Sequence, residues 1–200
     1  RRDDVAGWLA RIDAADKLLK RLQFPFPAGF ATESTVDKLQ LLHDELFDVH
    51  LPLPVPTSML IDTEGNLAAL YRGPVDLDRV LDDVANLQLG PEEARNRAVP
   101  FPGRWNAEPS RLNLFQLMSK LVDQGHLEDG LRIFKKYPEI VSTHHNFYKF
   151  LALAGDKLWE RTDGNGASWF YREALKQNPD FIEAKIQLAW ILATDNDDQL

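Results

Sequence analysis

The sequence predicts a mixed fold, in which an α/β part is followed by an all-α part. A strand–turn–strand pattern lies between residues 53 and 73. Before and after it, apolar residues recur at three- and four-residue spacing, as on the buried face of an amphipathic helix. From residue 111 onward, large and small residues repeat at offsets of 37 and 34 positions. A period of this length is typical of stacked helical repeats.

Composition excludes several classes of function. The chain has 200 residues, which is enough for two small domains. Its net charge of −8 argues against nucleic-acid binding, because that binding depends on Lys and Arg facing phosphates. Cysteine is absent, so this stretch has no thiol nucleophile, disulfide or cysteine metal site. No apolar run is long enough to predict a membrane span.

Two helices are predicted before the hairpin. The first covers about residues 4–22, and the prolines of the following Phe-Pro-Phe-Pro segment favour an extended chain. Thr32 is expected to cap the second, over about residues 33–48. The expected apolar face of the second helix consists of Val36, Leu39, Leu42, Leu46 and Phe47.

The hairpin is predicted from its turn chemistry. Ser58–Ile61 is a short apolar run, as in a buried strand, and Leu67–Tyr71 is a second one. Asp62–Asn66 supplies turn residues between them, and Gly65 adopts a positive φ at little cost. Asp76 is placed to cap a helix over about 76–88, whose apolar face contains Leu77, Val80, Leu81 and Val84.

The motif Val55-Pro56-Thr57, followed by the hairpin and a last helix, resembles the C-terminal half of the thioredoxin fold. The resemblance is to bacterial redoxins of the TlpA and peroxiredoxin type. It implies a cis Val55–Pro56 bond, which costs roughly 0.5–1 kcal/mol for a proline. It also implies that Val55, Pro56 and Thr57 shape a substrate groove. The competing interpretation is a proline-rich loop that enters an ordinary hairpin.

A domain boundary is predicted near residue 100. Gly90-Pro91 stops the preceding helix, and Val99–Trp105 combines two prolines with a glycine. We therefore expect a partial thioredoxin-like domain over 1–98, a linker over 99–110 and helical repeats over 111–200. Phe101 and Trp105 are expected to hold the linker against the protein.

The C-terminal part resembles tetratricopeptide repeats, which are helix–turn–helix units with a period of about 34 residues. Small residues such as Gly155 and Ala174 are expected to let neighbouring helices approach, while large ones such as Tyr171 fill the space beside them. Gly130 stands where the family usually has alanine, at a cost of roughly 1 kcal/mol in helix propensity. The repeated pairs are Leu114/Leu151, Phe134/Tyr171, Ala154/Leu188 and Leu158/Leu192.

The first functional hypothesis is a protein–protein interaction segment of a bacterial redoxin–repeat protein, without catalysis of its own. Repeats of this type bind peptides or proteins on a concave surface. The Lys and amide character of the candidate contacts suits an acidic or C-terminal peptide. These candidates are Asn113, Gln116, Lys120, Asn146, Lys149 and Lys185.

The alternative hypothesis is an enzyme fragment. This chain would then be part of a thiol-disulfide oxidoreductase or peroxide reductase whose redox cysteines lie upstream of residue 1. No catalytic residue, cofactor or metal is expected here, since His43 and His50 lack a third ligand in the sequence. The compartment is left open between a bacterial extracytoplasmic and a cytoplasmic location, and the redoxin resemblance favours the extracytoplasmic one. A hydrolase reading of His144-His145 is weaker, because Ser142 or Thr143 is expected simply to cap a helix.

Overall fold

The computed structural model describes residues 5–47, 51–90, 93, 96 and 112–194, with side chains from residue 11 onward. This part of the chain is mostly helical and contains one two-stranded antiparallel sheet. His50, the predicted linker over 99–110, and Phe101 and Trp105 within it lie outside the described residues. Its helices are α1 (Val5–Arg21), α2 (Glu33–Phe47), α3 (Leu77–Ala85), α4 (Leu114–Asp123), α5 (Leu127–Lys136), α6 (Pro138–Ser142), α7 (Phe147–Glu160), α8 (Gly164–Gln177) and α9 (Ile182–Thr194), and its strands are β1 (Thr57–Ile61) and β2 (Leu67–Arg72).

Two compact units divide the chain, Arg1–Thr35 and Val36–Leu200. In the first unit, α1 ends where the Leu22 N–H donates to the Leu18 carbonyl at 2.9 Å. The Thr32 hydroxyl accepts from the Thr35 N–H at 3.1 Å, so the predicted cap of α2 is confirmed. The predicted division into 1–98 and 111–200 stays a prediction.

In the second unit, the hairpin has the predicted strands and turn. Ser58 pairs with Tyr71, and the register shifts between Leu60 and Ile61. The Asp62 carboxylate accepts from the Asn66 N–H at 2.8 Å, and this backbone donor, more than any other neighbour, lowers the pKa of Asp62. Gly65 has a φ of 85°, as the turn requires. The Val55–Pro56 bond is cis, as the redoxin resemblance predicts.

Helix α3 follows the hairpin and is held by polar contacts. The Asp76 carboxylate accepts from the Asp78 N–H at 3.1 Å, which confirms the predicted cap. The Tyr71 hydroxyl donates to Asp83 at 2.7 Å. Leu77, Leu81 and Val84 are exposed, and no residue of α3 is buried. Three of the four residues predicted for the apolar face of this helix are thus exposed within the described part of the chain.

The main core lies in the helical part. Helices α7 and α8 form its most extensive contact, and α4 with α5 and α8 with α9 form the next two. Consecutive helices in this region are joined by short turns, which favours packing of sequence neighbours. The largest fully buried apolar side chains in the core are those of Tyr171, Phe150, Met118, Leu127, Ile191, Val122 and Val141.

Helix α2 packs against the beginning of this helical part. Leu41 forms a small buried cluster with Leu117 and Leu121 of α4. Val36, Leu46 and Phe47, expected on the buried face of α2, are exposed, and Leu41 and His43 are buried instead. The prediction was wrong for these three residues, because apolar residues lie on two sides of α2 and the contact with α4 selects the side that carries Leu41. Leu42, also predicted for this face, does pack against the Leu41 cluster.

Small residues set the distance between the paired helices. A Cβ atom on Gly155 would lie 3.0 Å from the Tyr171 ring, so α8 reaches the backbone of α7 at this point. Ala174 is fully buried on the same helix as Tyr171. The prediction that Gly155 faces a neighbouring helix is thus confirmed.

We predict that Gly155→Leu destabilises the protein by about 1–3 kcal/mol, because the new side chain overpacks the Tyr171 ring. A lower melting temperature in thermal unfolding followed by circular dichroism is the expected result. Ala189→Leu is the matched control, since Ala189 stands 34 positions further along, on α9, and is exposed. Equal melting temperatures for both variants would contradict the assigned packing.

Gly130 has a second role that helix propensity does not reveal. A Cβ atom there would clash with Val122 Cγ2 and would lie 3.0 Å from the Met118 carbonyl oxygen. Val122 is fully buried, and its β-branched side chain has little freedom to move away. Glycine is therefore needed for the close approach of α5 to α4, in place of the alanine of the repeat pattern.

We predict that Gly130→Ala lowers the free energy of unfolding, although alanine gains about 1 kcal/mol in helix propensity. The steric cost at Val122 and the Met118 carbonyl outweighs that gain. Urea denaturation measures the difference. Gly90→Ala is the control, because no heavy atom lies within 4 Å of its new Cβ, and it should leave stability unchanged or slightly higher. A stabilising Gly130→Ala would refute the close contact.

Candidate functional site

A surface groove of about 370 Å³ lies among α7, α8 and α9, and we call it the α7–α9 groove. Consecutive turns of α7 and α9 line it, because i and i+4 positions of a helix share one face. Its lining residues are Lys149, Ala152, Leu153, Asp156, Tyr171, Phe181, Glu183 and Gln187.

The floor of the groove is apolar and aromatic. Ala152 and Tyr171 are buried, while Leu153 and Phe181 are half-buried. Phe181 meets Tyr148 edge to face, with 4.9 Å between the ring centroids. Such a pair is favoured by the ring quadrupoles and fixes the position of the Phe181 ring in the groove lining. The groove thus presents a firm apolar surface to whatever occupies it.

Tyr171 joins the floor to a carboxylate. Its hydroxyl donates to Asp156 Oδ1 at 2.5 Å. Burial raises the pKa of Tyr171 well above its usual range, and the hydrogen bond to Asp156 raises it further. The phenol therefore stays protonated as a donor at neutral pH and holds the Asp156 side chain in place. Neither Tyr171 nor Asp156 was predicted from the sequence to belong to a binding site.

Charges around the groove are unbalanced. Asp156 and Glu183 contribute two carboxylates and Lys149 contributes one ammonium, which gives a net charge of −1. Within residues 112–194, none of these three side chains forms an ion pair. The Lys149 ammonium lies 5.9 Å from the Tyr148 ring centroid. The groove thus combines an apolar floor with charged groups that have no partner of opposite sign among the described residues.

Most of the sequence-predicted contact residues lie elsewhere. Lys149 lines the groove, and the other five do not. Gln116 and Lys120 both donate to the Glu45 carboxylate of α2. The remaining three take local roles: Asn113 caps α4, Asn146 contacts His145, and Lys185 lies 3.7 Å from Asp180. Only Lys149 of the six therefore lines this groove, and the joint role of the six in peptide binding stays a prediction.

The His144-His145 pair lies in the turn between α6 and α7. Helix α7 begins at Phe147 with Asn146 at its N-cap, so the prediction that Ser142 or Thr143 caps it is wrong. The Thr143 hydroxyl instead donates to the Ile140 carbonyl at 3.1 Å. His144 stacks on Phe115 at 3.8 Å, and burial lowers the pKa of His144.

His43 is fully buried in α2, and neither ring nitrogen forms a hydrogen bond within the described part of the chain. Its Nδ1 lies 3.6 Å from Asp44 Oδ1, and its ring lies 5.1 Å from the Phe47 ring. Across residues 11–47, 51–90 and 112–194, no three His, Asp or Glu side chains come together as a metal site would require.

The redoxin-type groove predicted at Val55, Pro56 and Thr57 stays a prediction. Val55 is 92% exposed, and the Pro56 carbonyl accepts from the Gly73 N–H at 2.8 Å. The Thr57 hydroxyl donates to the Pro54 carbonyl. These bonds fix the chain where it enters β1, and the exposed Val55 side chain stands beside them.

No protein-family model matches this sequence, and comparison with curated proteins and with solved structures finds no match either. Among the described helices, none is both long and apolar enough to cross a bilayer. What the α7–α9 groove binds is therefore inferred from its shape and its chemistry.

Two buried hydroxyl–carboxylate pairs lead to a prediction at alkaline pH. Burial, together with Asp83, raises the pKa of Tyr71 to about 12, and the pKa of Tyr171 is raised as well. A raised folded-state pKa gives stability that is present below the unfolded value of about 10 and is lost as pH rises above it. We expect two of the four tyrosines of the folded protein to ionise late in a spectrophotometric titration.

Tyr71→Phe and Tyr171→Phe are the matched variants, and each should remove one late-ionising phenol. Each should also lose less stability than the wild type when the pH is raised above about 10. If either variant removed a phenol that ionises in the ordinary range, the corresponding hydrogen bond would not exist in solution.

Proposed function

We propose that this chain is a protein–protein interaction module of the tetratricopeptide type and that the α7–α9 groove is its peptide-binding site. The observation that carries the proposal is the groove itself, in which an apolar floor lies beside charged groups without ion-pair partners among the described residues. Peptide sites combine apolar contact area with a few polar groups that fix orientation.

The arrangement of the helices supports the repeat assignment. Helix α7 with α8, and α4 with α5, are pairs joined by short turns, and α9 follows α8 as the next element in contact. The contact of Gly155 with Tyr171 is the small-against-large pairing that the repeat pattern leads one to expect. In stacked repeats, the first helices of successive pairs line a concave surface. In the proposed repeats, α7 and α9 would be these first helices, and residues of both line the groove.

The proposal predicts selective capture of peptides from a phage-displayed random library by the full 200-residue chain. Gln187→Trp should abolish capture of the enriched peptides, because an indole would fill the groove. Gln177→Trp is the control, since it makes the same change at an exposed residue at the end of α8. Circular dichroism must show both variants folded.

Equal capture by the wild type and by Gln187→Trp would place peptide binding outside the groove. Loss of capture in both Trp variants would indicate a general effect of an added indole. Neither result is the one that binding in the α7–α9 groove predicts.

The alternative proposal is that residues 51–90 belong to a thioredoxin-like domain of a thiol-disulfide oxidoreductase or peroxide reductase. It is supported by the order of hairpin and capped helix and by the exposed apolar face of α3, which another part of such a domain would cover. This chain holds no thiol, so its residues would only shape the site. A native gene product whose complete sequence lacks cysteine would exclude this alternative.

A further inference from the structure

We propose that the α7–α9 groove takes a peptide segment with a basic side chain, and that Asp156 and Glu183 receive that side chain. This inference rests on the proposed function. It reverses the ligand charge expected from the sequence, in which Lys and amide residues suggested an acidic or C-terminal peptide.

The first argument is which charges the structure leaves in the groove. Of the three lysines among the sequence candidates, Lys120 is paired with Glu45, and Lys185 lies 3.7 Å from Asp180. Lys149 alone lines the groove, against the carboxylates of Asp156 and Glu183. A ligand of complementary charge is therefore cationic at the position where these two carboxylates lie.

The second argument is the state of Asp156. The Tyr171 hydroxyl donates to Oδ1 and remains protonated, so it stabilises the carboxylate without neutralising its charge. Asp156 is half-buried, where water screens a charge less than at an open surface. An ammonium or guanidinium group placed against it would form a charge-assisted hydrogen bond, which is stronger than a neutral one.

The third argument is the aromatic wall. Phe181 lines the groove together with the two carboxylates, and its ring is held edge to face by Tyr148. A cation near an aromatic face is attracted by the ring quadrupole, more strongly when it is desolvated. The aliphatic stem of a Lys or Arg side chain also packs on apolar surface while its charged end reaches a polar partner. Leu153 and Ala152 provide such a surface.

The test begins with peptides enriched from the phage-displayed library on the full chain. We expect Lys or Arg at one recurring position. A synthetic peptide of the enriched sequence is then compared with a version in which that residue is Gln. On the wild type, the replacement should weaken binding about tenfold, as measured by fluorescence anisotropy. On Asp156→Asn/Glu183→Gln, it should have almost no effect, because the interaction it removes is already absent.

Glu160→Gln/Asp180→Asn is the matched control. It removes the same number of negative charges from side chains near, but outside, the groove lining, and it should leave the tenfold difference intact. Asp156→Asn retains an acceptor for the Tyr171 hydroxyl. Glu183→Gln alone changes an exposed side chain, and it should reduce the tenfold difference even if the double variant were unstable.

Three outcomes would overturn the inference. Enriched peptides could be acidic, could require a free C-terminal carboxylate, or could bind Glu183→Gln and Asp156→Asn/Glu183→Gln as tightly as the wild type. If Gln187→Trp still abolished capture in these cases, the groove would remain the peptide site and only the basic specificity would fail. If no peptide distinguished the wild type from Gln187→Trp, the inference and the proposed function would fail together.

Discussion

The close contact between Gly155 and Tyr171 is the constraint on which the α7–α9 groove depends. Because Gly155 has no side chain, the Tyr171 ring reaches the backbone of α7. The ring then fills the floor of the groove, and its hydroxyl meets Asp156, the residue that follows Gly155. One aromatic side chain thereby sets the spacing of two helices, closes the floor and orients a carboxylate. A substitution of Tyr171 would therefore change both the packing of the groove floor and the hydrogen bond to Asp156.

Helix α2 engages two α4 side chains that the sequence predicted as peptide contacts. In α2, Glu45 accepts from Gln116 and Lys120, while Lys38 pairs with Asp129 of α5 at 2.6 Å. Lys38 lowers the pKa of Asp129 through that hydrogen bond. Gln116 and Lys120 of α4 are thus used within the molecule. The Leu41 cluster adds apolar contact to these ion pairs where α2 packs on α4.

Local chemistry made the hairpin predictable from sequence. Asp62, Gly65 and Asn66 satisfy the turn within a few residues, so no distant contact is needed to infer it. Helix boundaries followed equally from caps and breakers such as Thr32 and Asp76. The groove was not predictable in this way. Asp156 and Glu183 line one groove only because α7, α8 and α9 pack together, and neither local sequence indicates the geometry of that packing.

The buried side of a helix was predictable only where apolar residues lie on one side. Helix α9 shows the difficulty, because Ala184 and Ile191 are buried while Ile182, Ile186 and Trp190 are exposed. Periodicity favours the larger residues of this set, and the structure buries the smaller side. The same ambiguity led to the wrong face for α2. Tertiary packing decided both cases. Hydrophobicity is a condition for burial, but it does not specify which side of a helix a neighbouring helix packs against.

The groove carboxylates differ from the other acidic groups that reach between helices. Glu45, Glu128 and Asp129 each face a lysine or arginine from another helix or the turn that follows it, and their charges are thereby compensated. Asp156 and Glu183 have no such partner among the described residues, although they lie beside apolar and aromatic side chains. A half-buried carboxylate without a cation loses hydration and gains only one hydrogen bond in return. Folding alone does not require this arrangement, whereas a cationic ligand would complete it.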